Sequence, residues 1–222
     1  MFSDTPPRRL LQAVAFLAAS FTGTLSYSAE IAVSVLDVDG NPVPGVAVYA
    51  RPDAAEPLPA PTETVVMDQI DRRFVPHLLV VQTGTTVDFP NSDSVAHHVY
   101  SFSKPNNFVL PLYKSDLRPQ VTFAHSGVVT LGCNVHDDML AYILVVDSRV
   151  YGLTDDDGVA RLSIDNPEGV IVNIWSPRIR TEKEDLMRAV SAGKSAELTF
   201  SLTEKLHAPH EDATGALVWK RY

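Results

Sequence analysis

Most of the chemistry available to this sequence lies in one short run, Gly132-Cys133-Asn134-Val135-His136-Asp137-Asp138-Met139. It spaces a thiol, an imidazole and a thioether as C-x-x-H-x-x-M. The residues before it, GVVTLGC, and those from Met139 on, MLAYILVV, read as strands. Cys133 therefore ends one strand, Met139 opens the next, and the loop between them is tight. Such a loop can aim three soft or borderline donors at one point. A cysteine and two histidines in a trigonal set, with a weak axial methionine, form the donor set of a mononuclear blue-copper site. The loop supplies one histidine, so the other must come from elsewhere. The pair His97-His98 offers two candidates. Neighbours on a strand face opposite ways, so only one of them can face the metal, and alternation alone does not choose.

Other chemistries fit less well. Structural zinc sites use Cys and His without a thioether, so Met139 speaks against zinc. Cys133 is the only cysteine, which excludes both an intrachain disulfide and a copper pair bridged by two thiolates. A nucleophilic Cys133 with His136 as base needs a third, orienting group, and the sequence does not display one. The chain therefore reads as a non-enzyme with no small-molecule substrate. Of the remaining histidines, His77 reads as a surface or edge residue and His125 as exposed beside a Ser-Gly turn. His207 and His210 fall in a polar tail. The run Asp155-Asp156-Asp157-Gly158 lacks the twelve-residue calcium-loop pattern and its closing glutamate, so it reads as a β-turn.

The elements that must position these donors are strands. Ile31, Val33 and Val35 alternate up to a turn at Asp39-Gly40-Asn41-Pro42. Val46 and Val48 then alternate against Ala47 and Tyr49, which is the pattern of a β-hairpin or β-arch. Residues 51–63, rich in proline and alanine, read as an extended linker. In TTVDFPN, Val87 and Phe89 point inward, and HHVYSFS is a further strand. After residue 150 strands are expected near Val159–Ile164, at Val170–Trp175 and at Ala196–Phe200, separated by turns at Asp155–Gly158 and Asn166–Gly169. No stretch between residues 64 and 147 carries a helical apolar period, so the fold class is all-β.

The 222 residues allow one large or two small domains. At the N-terminus Arg8 and Arg9 precede an apolar run from Leu10 to Ala19, and small or polar residues follow. That order is a secretory signal, with cleavage expected near Ser28 and an uncleaved anchor as the alternative. The mature chain is thus expected to be exported, to the periplasm or beyond, with any membrane contact confined to that segment. Residues 1–28 carry Asp4, Arg8 and Arg9, so their removal takes the formal charge from −9 to −10. An acidic chain is a poor ligand for nucleic acid. A lone thiol in an oxidising compartment needs protection, and metal ligation supplies it.

Residues 64–147 resemble a cupredoxin of the plastocyanin–amicyanin type. In that family an Asn follows the third strand and the first ligand His lies six residues later, opening the tripeptide His-Asn-Val. Asn91 and His97-His98-Val99 match, except that His98 stands in place of Asn. The resemblance assigns the ligand to His97 and so implies one type 1 copper on His97, Cys133, His136 and Met139. It gives Asn91 a supporting role, tying the His97 loop to the Cys133 loop, and places His98 in a slot that helps hold the same loops. The short C-x-x-H-x-x-M spacing resembles amicyanin more than plastocyanin. Residues 29–60 and 148–202 resemble a carboxypeptidase-regulatory-like (transthyretin-like) β-sandwich. The implied architecture is a Greek-key cupredoxin inserted in that sandwich, with a polar tail over 203–222. The combined arrangement resembles exported proteins of the methylamine-utilisation type. The function implied is one-electron transport to and from a redox protein partner, the alternative being a copper carrier or accessory module.

Overall fold

The computed structural model describes residues 28–52, 58–165, 169–180, 186–191 and 195–208. The expected signal segment, the centre of the proline-rich linker, the Asn166 turn and the tail beyond residue 208 lie outside them. The protein is all-β. Among the described residues no helix is long and apolar enough to cross a membrane.

Two hydrophobic cores organise the strands. The outer one is built by the chain's two ends. β1 (Ser28–Leu36) lies between β14 (Val159–Asp165) and β17 (Ala196–Ser201), antiparallel to the first and parallel to the second. The facing sheet runs β13 (Val150–Leu153), β2 (Ala47–Pro52), β15 (Val170–Trp175), β16 (Met187–Val190). Ile31, Val33, Val35, Val46, Val48 and Phe200 meet between them. β1 and β2 thus enter different sheets, so the turn between them makes an arch rather than a hairpin. Alternation explains the rest of β2. Val46 and Val48 fill the outer core, while Ala47 and Tyr49, on the opposite face, join Leu78, Leu144 and Val146 in a small apolar junction with the inner sandwich.

Everything from β3 (Thr64–Val66) to β12 (Leu140–Val146) is inserted between β2 and β13, two strands that are hydrogen-bonded neighbours. One inner sheet runs β10 (Gln120–Thr122), β7 (Thr86–Asp88), β3. The other runs β6 (Leu78–Gln82), β12, β11 (Gly127–Cys133), β8 (Val99–Ser101), β9 (Phe108–Val109). Phe74, Phe89, Phe123, Val129, Leu131 and Ile143 fill the space between them, and Cys133 and Met139 sit in that same core. A hairpin of β4 (Asp68–Ile70) and β5 (Arg73–Val75) stands beside these sheets, its two strands paired with each other and β4 bridged at Gln69 to Asn91. Nothing in the apolar periodicity announces it.

His77 departs from its sequence reading. It is 1% exposed; its carbonyl accepts the N–H of Tyr142, and its ring meets Tyr142 edge-on at 5.6 Å. It lies one residue before β6, whose parallel pairing to the interior strand β12 carries it inside.

Candidate metal centre

Cys133 closes β11 opposite Val99. The chain then turns through Asn134–Asp138, closed by a bond from Met139 N–H to the His136 carbonyl (3.1 Å), and re-enters the sheet as β12. On the other side of the site, His97 precedes β8. A two-way backbone pairing with Tyr113 holds it, each N–H donating to the other's carbonyl at 3.0 Å. A backbone bond joins the His97 and Cys133 segments directly, from Asn134 N–H to the carbonyl of His98 (3.2 Å).

These constraints bring His97, Cys133 and His136 together. The two Nδ1 atoms are 3.2 Å apart, and Cys133 Sγ lies 3.8 Å from His97 Nδ1 and 3.9 Å from His136 Nδ1. A point in their plane about 2.0 Å from each nitrogen lies about 2.3 Å from the sulfur, and those are metal–imidazole and metal–thiolate lengths. The triangle therefore fits one metal ion. Of the histidine pair it is His97, fully buried, that joins the cluster. His98 faces the other way, its ring 6.0 Å from that of Tyr100. Met139 is 2% exposed and lines a surface cavity of about 440 Å³ together with Cys133, Tyr100 and Phe102.

The sequence reading overlooked Asp93. Its Oδ2 lies 2.9 Å from His97 Nε2 and accepts the backbone N–H of Arg72 at 2.7 Å. Burial opposes its ionisation, but the bonds from Arg72 and His97 outweigh that and hold its pKa below the usual carboxylate value. An ionised carboxylate only accepts, so His97 donates from Nε2, and in the neutral imidazole that leaves Nδ1 as the nitrogen with a lone pair on the side of the cluster. Carboxylates habitually orient metal-binding imidazoles in this way. The signal was available in the sequence, since Asp93 stands four residues before His97, but the role needs the loop's shape to be seen. Burial, then the proximity of His97 and Arg72, lowers the pKa of half-exposed His136. That favours its neutral, lone-pair-bearing form too.

Asn91 has other partners than those expected of it. Its amide donates to the carbonyls of Val95 (2.9 Å) and Tyr113 (3.1 Å), and its Oδ1 accepts Asp93 N–H (2.9 Å). Both amide hydrogens are spent inside the His97 loop and on Tyr113. The tie to the Cys133 loop falls instead to the backbone at His98. Gln69 extends this buried network, donating to the Pro90 carbonyl and to Tyr113 Oη, whose own hydrogen goes to the Phe89 carbonyl. His125 and His207 are exposed and outside the cluster, His207 bonding Arg180. The Asp155 run forms the expected turn, with Asp155 Oδ1 accepting from Asp157 and Val159 N–H.

No protein-family model matches the sequence, and no curated protein matches it. Among solved structures, part of the chain is similar to a copper-containing nitrite reductase (NirK) from Thermus scotoductus SA-01, at 25% identity and a TM-score of 0.37. That match covers 43% of this chain and a quarter (25%) of the reductase. An amicyanin variant in its reduced Cu(I) form matches at 20% identity and a TM-score of 0.36, over 44% of this chain and 99% of its own. An oxidised amicyanin variant matches with the same figures.

Proposed function

We propose that this chain is an exported type 1 copper protein that carries single electrons between redox partners, with His97, Cys133, His136 and Met139 as its ligands. The observation that carries the reading is the triangle of Sγ and two Nδ1 atoms, sized for one metal ion. Copper on such a set supplies reversible one-electron chemistry. Cys133 would hold the copper as thiolate, and burial in the inner core shields its sulfur from water and from oxidation. Asp93 keeps the His97 lone pair aimed inward. Met139 would add a weak thioether donor. His136, half exposed, brings an imidazole edge to the surface, where a redox protein can approach. Sγ and both Nδ1 atoms are held at the spacing one ion needs by a strand end and by backbone pairings, and a site held in this way changes little between two oxidation states, which suits electron transfer better than the pick-up and release of a carrier.

Cys133–His97–Asp93 also has the connectivity of a nucleophile, a base and an orienting acid. The second imidazole argues against a nucleophilic role. A base is needed once, whereas here two Nδ1 atoms converge on the same point beside the sulfur.

Reconstitution of the mature protein with Cu(II) tests the proposal. Intense visible absorption from thiolate-to-copper charge transfer is expected, at one copper per chain, lost in Cys133→Ala. A colourless loaded protein, or colour that survives Cys133→Ala, refutes it. Rapid oxidation by a cytochrome in stopped flow separates electron transport from a carrier role. Sequencing the N-terminus of the exported protein tests cleavage near Ser28.

A further inference from the structure

The hairpin β4–β5 turns in two residues, with Ile70 paired to Arg73. Both turn residues have left-handed backbones, Asp71 at φ 51° and Arg72 at φ 58°. A two-residue hairpin of this kind needs positive φ at both positions, and Asn-Gly is the usual solution. Asp tolerates that region. Arg has no such dispensation. Strained backbone persists where the surroundings over-determine it, and it points to function.

The surroundings here are the His97 loop. Ser92 N–H donates to the Gln69 carbonyl at 3.0 Å, and Ser92 Oγ donates to Asp68 Oδ2 at 2.8 Å. Arg72 N–H donates at 2.7 Å to the same Asp93 oxygen that lies 2.9 Å from His97 Nε2. The left-handed turn aims that N–H. A looser three-residue turn would carry it elsewhere.

We infer that the β4–β5 hairpin is a strap for the metal centre, and that Arg72 is a positioning residue whose backbone N–H fixes Asp93 and, through it, the ring of His97. This rests on the copper reading for its purpose, but the mechanical claim concerns the metal-free chain. Arg72 acts through its peptide group, so its side chain is dispensable to the strap and its geometry is not.

Three variants test it, each first shown to fold by its circular dichroism and melt. The readout is the His97 Nε2–H proton in the metal-free protein, followed by NMR as its exchange with water. A single glycine inserted between Asp71 and Arg72 lengthens the turn and takes the N–H away from Asp93. Exchange is expected to quicken by about 10-fold or more, and copper affinity to fall by a similar factor, as for other residues that orient metal ligands. Arg72→Gly keeps the N–H and relieves the backbone, so exchange is expected to stay at the wild-type rate while the melting temperature rises. Asp93→Ala is expected to abolish the protection altogether. Wild-type exchange in the lengthened turn, or faster exchange in Arg72→Gly, overturns the inference. Because the proton is read without metal, a failed strap and a failed copper reading give different results.

Discussion

The two sandwiches of this chain solve the same packing problem with different interiors. The outer one packs aliphatic side chains from both sheets against Phe200, and its buried polar groups, such as Thr154 bonded to the Val43 carbonyl and Val46 N–H, serve its own strand connections. The inner one has a similar aromatic and aliphatic middle, but one end is given to buried polar groups: Gln69, Asn91 and His97, all 3% exposed or less, with Tyr113 beside them. Buried polar groups are costly unless satisfied. Here each is hydrogen-bonded to a loop carbonyl, a side chain or both. The polar end fixes where three donors sit, which an apolar core has no means to do. The outer sandwich instead anchors both ends of the insert on adjacent strands.

The largest expected difference concerns metal. Phe123 and Phe200 are matched probes, each buried in its own core. Truncation of either to Ala is expected to cost about 3–5 kcal/mol. Saturating copper, at about 1,000 times its dissociation constant, adds about 4 kcal/mol to the state that binds it. Thermal melts should therefore show copper restoring Phe123→Ala toward the wild type while leaving the Phe200→Ala transition where it was. Equal rescue of both would mean that the junction around Leu78 and Leu144 makes the two cores one cooperative unit.

The polar end should also show in alkali. Burial pushes the Tyr113 hydroxyl up to about 12 from 10.0. The folded chain holds that proton more tightly than the unfolded one, so its contribution is complete below pH 10 and is lost as pH rises toward 12. In the metal-free wild type, stability is expected to fall by about 2 kcal/mol across that window. Tyr113→Phe should lack this component but start lower by about 1–3 kcal/mol, because the Phe89 carbonyl loses its donor. Denaturant titrations at pH 9, 10, 11 and 12 measure both. An unchanged slope in Tyr113→Phe would place the alkaline weakness elsewhere.

How much of this was legible in the sequence follows the same division. The outer strands could be read from Ile31, Val33 and Val35, because one face is buried and alternation reports burial. The donors of the Cys133 loop were legible because their types and spacing are chemically unusual. The supports were not. Asp93 and Arg72 act through a carboxylate and a peptide N–H, groups that many residues could offer, and only the folded loops bring them within 2.7 Å of each other. The β4–β5 hairpin was hidden because its turn, Asp71-Arg72, sets an arginine where a glycine usually follows the Asp. His77 was misjudged because a lone histidine beside a proline says nothing of the parallel strand that follows it.

The outer sandwich contains a smaller comparison of its own. Asp37-Val38-Asp39-Gly40 and Asp155-Asp156-Asp157-Gly158 make the same turn. In each, the leading Asp Oδ1 accepts N–H groups two and four residues on, and the glycine donates back to the leading carbonyl. The glycines share positive φ, 82° and 71°, but not their surroundings. A Cβ on Gly40 would meet nothing within 4 Å, whereas one on Gly158 would lie 2.8 Å from Val43 N and 2.9 Å from the Val35 carbonyl. Gly40→Ala is expected to cost about 1 kcal/mol, the backbone penalty alone. Gly158→Ala adds a collision with main chain and should cost at least about 2–3 kcal/mol. Chemical denaturation of the pair decides the ranking, and equal costs would mean that the arch yields around Gly158.

The smallest effect belongs to acid. Bonds from Asn41, first from its N–H and then from its side chain, hold the Asp37 carboxyl below its ordinary value of 3.8. A depressed carboxylate contributes stability that is present above that ordinary value and disappears as pH falls through the lower, folded one. Asp37 lies at the surface, so solvent keeps the contribution small. Asp37→Asn preserves one acceptor oxygen for the turn but removes the charge. Its stability should consequently vary less with pH below 4 than that of the wild type, with little change at neutral pH. Melts at pH 3, 4 and 7 test this, and an identical acid slope in wild type and variant would assign the acid sensitivity of the chain to the carboxylates of the inner sandwich, Asp93 first among them.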